Sequence, residues 1–257
     1  MTKLLIGKTA IITGASEGIG RATAELFSEH GANIVATGRR EEELNKLVND
    51  LKSRGGNVIG VQADSADPQA PKKTFAKAIE AFGKVDILVN NAGMGEMMSI
   101  EETSDEHFDR VVQVNFAGVF RHCREAIQHF LSRNEGVIVN VTSINGSLPL
   151  CGLTYTSTKG AVNTMTKNIA IRFAGTSIRC NAVAPGFVDT PMTQKARAGE
   201  LKGGGAMFPF NEVYGNTDVG DTSAADQANT ILFLASDMSK AITGRVIIAD
   251  NGTFMAA

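Results

Sequence analysis

Tyr155 and Lys159 stand four positions apart in the run Tyr-Thr-Ser-Thr-Lys-Gly-Ala. On a helix, that spacing lays both side chains on one face. A phenol beside an ammonium is a proton donor in waiting, because the positive charge favours phenolate and lowers a pKa that lies near 10 in water. Ser143, at the end of an apolar run that reads as a strand, could hydrogen-bond the same substrate oxygen. Together the three make a general acid/base site. Taken alone they are better read as an ordinary helix start with a solvated Lys and a half-buried Tyr. The framework ahead of them changes that reading.

Lys8 to Thr13 is a short run rich in β-branched residues without polar alternation, as a strand buried on both faces of a parallel sheet requires. It leads into Gly14-Ala15-Ser16-Glu17-Gly18-Ile19-Gly20 and then a helical pattern to about Glu29. Strand, glycine-rich turn and helix start form an anion cradle, with backbone N–H groups and the helix dipole both favouring a phosphate. Glycines there let the backbone approach a pyrophosphate closely. The next strand, residues 32–37, ends in Gly38-Arg39-Arg40. A carboxylate at such a tip would bind a ribose 2′-hydroxyl, whereas an arginine accommodates a 2′-phosphate. Arg39 and Arg40 therefore point to NADP(H) over NAD(H). Glu41, Glu42 and Glu43, and Glu17 in the turn, offset part of that basic potential.

A third strand, Val58 to Ala63, ends in Asp64-Ser65, and a fourth, Asp86 to Val89, ends in Asn90-Asn91-Ala92-Gly93, with an apolar helix face from Phe75 to Phe82 between them. Strands alternating with helices predict an α/β fold: one Rossmann-type, doubly wound parallel sheet with helices on both faces. Ligands in such sheets bind outside the C-terminal strand ends, where each of these motifs falls.

Composition agrees with one domain over residues 1–257. With 43% hydrophobic residues, a chain of this length can bury one large core. The net charge of −2 and the lack of a basic run argue against nucleic acid or an anionic membrane as partner. Cys123, Cys151 and Cys180 are scattered, with neither disulfide nor metal-ligand spacing. A cytoplasmic protein without a metal site is expected, and no apolar run approaches a membrane span.

The chain resembles the short-chain dehydrogenase/reductase family over nearly its whole length. The resemblance rests on Thr13-Gly14-x-x-x-Gly18-x-Gly20, Asp64, Asn90-Asn91-Ala92-Gly93, Asn115, Ser143, Tyr155-x-x-x-Lys159, Pro185-Gly186 and Thr190. Phe233 to Asp237 and Ile242-Thr243-Gly244 also fit the family pattern. The resemblance implies that Tyr155 exchanges the proton with substrate, that Lys159 lowers the Tyr155 pKa and binds the nicotinamide ribose, and that Ser143 orients the substrate oxygen. Asn115, within a long helical pattern from Ser104 to Leu131, would hold a water of a proton relay. Gly14, Ser16, Gly18, Ile19 and Gly20 would cradle the pyrophosphate. Asp64 and Ser65 would lie at the adenine, Asn91, Ala92 and Gly93 on the adenosine side, and Pro185, Gly186, Val188 and Thr190 at the nicotinamide. The hydride chemistry is the cofactor's; the protein supplies position and electrostatics. A homotetramer built on the helices carrying Asn115 and Tyr155 is also implied.

Two features depart from the family pattern. Ser143 stands twelve positions before Tyr155, one fewer than usual, and Thr142 occupies the usual spacing. Ser143 is preferred because a one-residue deletion in the loop Asn145 to Thr154 is easier than a shift in strand register. Glu17 stands where many NADP-dependent relatives carry a basic residue, which leaves Arg39 as the main determinant.

Phe187 to Thr222 shows little periodicity and carries Gly203-Gly204-Gly205 and Met207-Phe208-Pro209-Phe210. It is expected to form a substrate lid at about 187–222, excluding water from an apolar ligand. Met94, Met97 and Met98 are expected at the same cleft, adapting to an irregular apolar shape. Core or subunit packing accounts for these residues equally well. If the lid reading holds, a hydroxysteroid or bile acid is favoured. The tail from Val246 to Met255 resembles instead the family's 3-oxoacyl-[acyl-carrier protein] reductases, the second reading. The acidic run Glu96, Glu101, Glu102, Asp105 and Glu106, expected to be a solvated face, would repel an acidic carrier. A dinucleotide-binding sensor without turnover is a remote third.

Overall fold

The computed structural model describes residues 2–203 and 214–254. Gly204, Gly205, the Met207 to Phe210 stretch and Met255 lie outside the described residues. Among those described, seven parallel strands form one sheet in the order β3-β2-β1-β4-β5-β6-β9. They are β1 (Thr9–Ile12), β2 (Asn33–Gly38), β3 (Val58–Gln62), β4 (Ile87–Asn90), β5 (Glu135–Val141), β6 (Ser177–Pro185) and β9 (Val246–Ala249). Strand order reverses between β1 and β4, and that crevice is where the fold accepts ligands.

Successive strand residues face opposite layers, so both sheet faces are apolar. Ala10, Ile12, Ile34 and Ala36 pack under α1 (Gly18–Glu29), α2 (Glu41–Ser53) and α8 (Ala224–Ala235). Ile11, Val35, Leu88 and Ile138 pack under α3 (Ala70–Phe82), α5 (Gly118–Leu131) and α6 (Leu153–Arg172).

The expected helix from Ser104 to Leu131 is not uniform. It comprises α4 (Asp105–Val112) and α5 joined by a π-helical turn, Gln113–Ala117, with Asn115 inside it. Such a bulge leaves the hydrophobic period nearly unchanged, so the sequence pattern passes over it.

The segment after Gly186 is less irregular than expected. It holds β7 (Val188–Asp189), α7 (Pro191–Arg197) and β8 (Thr222–Ser223), with β7 pairing parallel to β8. Elements this short give no readable period. The start of α7 nevertheless had a local signal: Thr190 caps it through the Thr193 N–H, and Pro191 occupies its first turn.

Candidate active site

The glycine turn is tied to the end of β4. Asn91 donates its Nδ2 to the carbonyls of Thr13 at 3.0 Å and Gly14 at 3.1 Å. The N–H groups of Asn91 and Ala92 both donate to Thr13 Oγ1 at 3.0 Å. Gly14 and Gly18 adopt φ of 64° and 55°, the left-handed region that favours glycine. A Cβ on Gly20 would lie 2.3 Å from the Gly14 carbonyl oxygen and 2.4 Å from Asn91 Nδ2. Gly20 thus lets the helix close on the strand and does not line the cleft. Gly14, Ser16, Gly18 and Ile19 do line it. Glu17 at the N-cap of α1 makes no side-chain capping bond, and no acid stands in the first turn. Those features fit a phosphate.

At the β2 tip, Arg39 and Arg40 are exposed and border the same cavity. Arg40 pairs with the Glu17 carboxylate at 2.5 Å. Asp64 also borders it, but its carboxylate is engaged by Arg110 at 2.8 Å. Burial pushes the Asp64 carboxyl up, and the Ala66 N–H and the Arg110 guanidinium outweigh this and hold it below its usual range. Ser65, Ala92 and Gly93 complete this side.

Across the crevice, Ser143 follows β5 and caps a short 3-10 turn, accepting from the Asn145 N–H at 3.1 Å. Its hydroxyl lies near enough to the Tyr155 phenol to pull that group's pKa down. Thr142, the alternative by spacing, is buried and donates its hydroxyl to the Val183 carbonyl at 3.1 Å. The structure therefore brings Ser143, and not Thr142, to Tyr155.

Lys159 lies one turn along α6, buried, with Nζ 5.5 Å from the Tyr155 ring centroid and donating to the Val141 carbonyl at 2.9 Å. Burial lowers the Lys159 pKa to about 8. Burial also raises the Tyr155 pKa, with the nearby Ser143 hydroxyl acting in the opposite sense. The expected lowering of the Tyr155 pKa by Lys159 does not dominate here. Enclosure disfavours the charged form of both groups, phenolate and ammonium alike.

Asn115 does not line the cavity. It is buried behind it, its Oδ1 accepting the Met94 N–H and its Nδ2 donating to the Met94 carbonyl, each at 2.9 Å. A Cβ on Gly93 would lie 3.5 Å from Asn115 Oδ1 and 3.6 Å from Lys159 Nζ, so Asn115 and Lys159 flank one glycine. Pro185, Gly186, Val188 and Thr190 close the far wall, and a Cβ at Gly186 would lie 2.6 Å from Asp250 Cβ.

Of the three methionines expected here, only Met97 lines the cavity, where Met192 and Leu201 join it. Met98 instead packs under Gly203. Glu96 corrects a second expectation. It is 1% exposed, no part of a solvated acidic face, and its carboxylate accepts the N–H of Tyr155 at 2.8 Å and of Met98 at 2.6 Å. Glu101, Glu102, Asp105 and Glu106 are exposed as expected. The one sequence signal for Glu96 lay elsewhere: Cys151-Gly152-Leu153 opens α6 without a capping side chain. Burial, and next the Glu96 charge, push the neighbouring Cys151 thiol up to about 12, far from a reactive thiolate.

The cavity joining all these walls has a volume of about 350 Å³. Among the described residues no cluster of His, Cys, Asp or Glu could hold a metal ion, and no helix is long and apolar enough to cross a membrane.

Residues 8–201 match the short chain dehydrogenase family. This chain is a member of that family. It is an NAD(P)-dependent oxidoreductase acting on CH–OH donors. Among the dehydrogenases it resembles is a 3-oxoacyl-[acyl-carrier-protein] reductase of Thermotoga maritima, 36% identical over 96% of this chain and 98% of that one. A 3beta-hydroxysteroid dehydrogenase 1 of Eggerthella lenta is also 36% identical, over 96% and 94%. A crystal structure of a 3-ketoacyl-(acyl-carrier-protein) reductase from Brucella melitensis complexed with NADH superposes with a TM-score of 0.85 at 33% identity, covering 96% of this chain and 98% of that one.

Proposed function

We propose that the protein interconverts a secondary alcohol and a ketone on a bulky apolar substrate of the hydroxysteroid or bile acid type, with NADP(H) as preferred cofactor. One observation carries this reading: the Tyr155 phenol and the Ser143 hydroxyl meet at a cavity that continues to the glycine turn and whose other wall is Met97, Phe187, Met192 and Leu201. The cofactor, when bound, supplies or accepts the hydride at the carbinol carbon. Tyr155 gives a proton to the carbonyl oxygen in reduction and takes it from the alcohol in oxidation. Ser143 holds that oxygen by a hydrogen bond.

Lys159, buried beside the phenol and fixed on the Val141 carbonyl, binds the nicotinamide ribose and with Asn115 passes the proton outward. Gly14, Ser16, Gly18 and Ile19 hold the pyrophosphate at an uncapped helix start. Exposed Arg39 at the β2 tip takes the 2′-phosphate. Asp64 and Asn91 hold the adenosine half. The described part of the expected lid, with Phe187, Met192 and Leu201, covers the substrate. Exposed Ile100, Phe120 and Ile171 on or beside the helices carrying Asn115 and Tyr155 support a homotetramer, and elution at monomer mass would refute it.

The second reading is an acyl chain presented on a carrier protein, favoured by the reductase relatives of equal identity. Exposed Glu101, Glu102, Asp105 and Glu106 weigh against it, because an acidic carrier meets like charge there. Hydroxysteroids, bile acids and small secondary alcohols assayed with NADP⁺ and NAD⁺, alongside an acetoacetyl thioester with NADPH, separate the two. Steroid or bile acid turnover with NADP⁺ preferred supports the proposal. Turnover of the thioester alone overturns it in favour of the second reading.

A further inference from the structure

The helix that carries Tyr155 begins at Leu153 with no side chain of its own over the first turn: Gly152 is the N-cap and no acid follows in that turn. Four N–H groups at a helix start need partners. Here three of them find partners in Glu96 and Met98, more than fifty positions upstream. The Gly152 N–H donates to the Glu96 carbonyl at 3.2 Å, the Leu153 N–H to the Met98 carbonyl at 3.0 Å, and the Tyr155 N–H to the Glu96 carboxylate at 2.8 Å.

The second carboxylate oxygen accepts the Met98 N–H, so the side chain is fixed at both oxygens. A Cβ on Gly152 would lie 2.1 Å from Glu96 Oε2 and 2.4 Å from Cδ, so the carboxylate occupies space that any other residue at 152 would fill. The other edge of the same strap is held as well. The Met97 N–H donates to the Lys202 carbonyl at 2.8 Å, and Gly95 packs on Met192 and Leu201 at the apolar wall.

We infer that Glu96 is a positioning residue that sets the first turn of α6, and with it the Tyr155 phenol, against the substrate wall held by the same strap. The inference rests on the assignment of Tyr155 as the proton-transfer group. A negative charge at a helix start is favoured by the dipole, and a buried carboxylate is tolerated because both oxygens are hydrogen-bonded. Its effect on the reaction is geometric, since displacement of a reacting group by about 1 Å costs rate on the order of a hundredfold.

The test is a cycle of Glu96→Ala, Gly152→Ala and the double variant, with Tyr155→Phe as reference, reading kcat, KM, cofactor Kd and amide hydrogen exchange of α6. Glu96→Ala is expected to lower kcat by roughly tenfold or more while cofactor Kd stays within about twofold. Gly152→Ala, which leaves every titratable group in place, should do the same by expelling the carboxylate. The double variant should be no worse than Glu96→Ala, and exchange should quicken only in the first turn of α6. Unchanged kcat in Glu96→Ala beside an inactive Tyr155→Phe would overturn the inference alone, as would additive losses in the double variant. Full activity in Tyr155→Phe would instead remove the reading beneath it, and the inference with it.

Discussion

The Arg40 guanidinium sits 2.5 Å from the Glu17 carboxylate, so the glycine turn itself neutralises one of the two arginines at the β2 tip. Both partners are about half exposed, and an ion pair so solvated contributes little to stability. Its consequence is for cofactor choice. Glu17→Gln should release Arg40 and remove a repelling charge, lowering the KM for NADPH by roughly threefold to tenfold, as a change of about 1 kcal/mol would, with NADH little changed. Arg39→Ala should act oppositely and more strongly. Steady-state kinetics with both cofactors measures this, and equal effects on NADPH and NADH would remove the 2′-phosphate assignment.

Gly20 does not touch the cavity, yet it has less room than any glycine that does. Gly20→Ala places a methyl 2.3 Å from the Gly14 carbonyl and 2.4 Å from Asn91 Nδ2, so α1 must move off the turn. Overpacking of this kind costs about 1–3 kcal/mol, and a chemical denaturation midpoint should report it together with weakened cofactor binding. Asn91→Ala should lose a comparable amount by removing the two bonds to Thr13 and Gly14 carbonyls. An unchanged midpoint in both variants would mean that the turn is not held from β4.

Lys159 gives a pH dependence with a definite sign. Its pKa falls from 10.5 to about 8 through burial, so between those values the unfolded chain binds the extra proton and the native state does not. Stability attributable to this residue therefore rises with pH across that window, and the penalty is fully present below pH 8. Lys159→Met abolishes the titration. Unfolding free energies of both proteins at pH 7 and pH 10 should show the wild type gaining on the variant at the higher pH. A constant difference would place Lys159 in a solvated environment at odds with its burial.

The sequence carried the fold well because its signals were of long range in the chain but simple in kind. Apolar runs at Thr9–Ile12 and Ile87–Asn90 have no polar face, and only a strand covered on both sides explains them. The glycine turn was legible for a related reason, since glycine at positions 14 and 18 answers to left-handed backbone. Strand register favours Ser143 over Thr142, and the structure turns Thr142 into the sheet toward Val183. What stayed hidden were relations between distant segments. Nothing local distinguishes Glu96 from Glu101 and Glu102, and its burial depends on Gly152 leaving space across the fold. The π turn at Asn115 was hidden because one extra residue in a helical turn barely shifts the apolar period. The Tyr155 shift runs opposite to the expectation because adjacency to Lys159 can be read from spacing while desolvation cannot.

The most direct test of proton transfer by Tyr155 is the single-turnover rate of hydride transfer in Tyr155→Phe, measured by cofactor absorbance with whichever secondary alcohol or ketone the wild type turns over, beside the cofactor Kd of the same variant. Loss of a general acid/base group costs about 10²–10⁴ in rate. The account predicts a fall in that range with cofactor binding retained. A rate within threefold of the wild type would show that Tyr155 does not carry the proton, and would contradict the account at its centre.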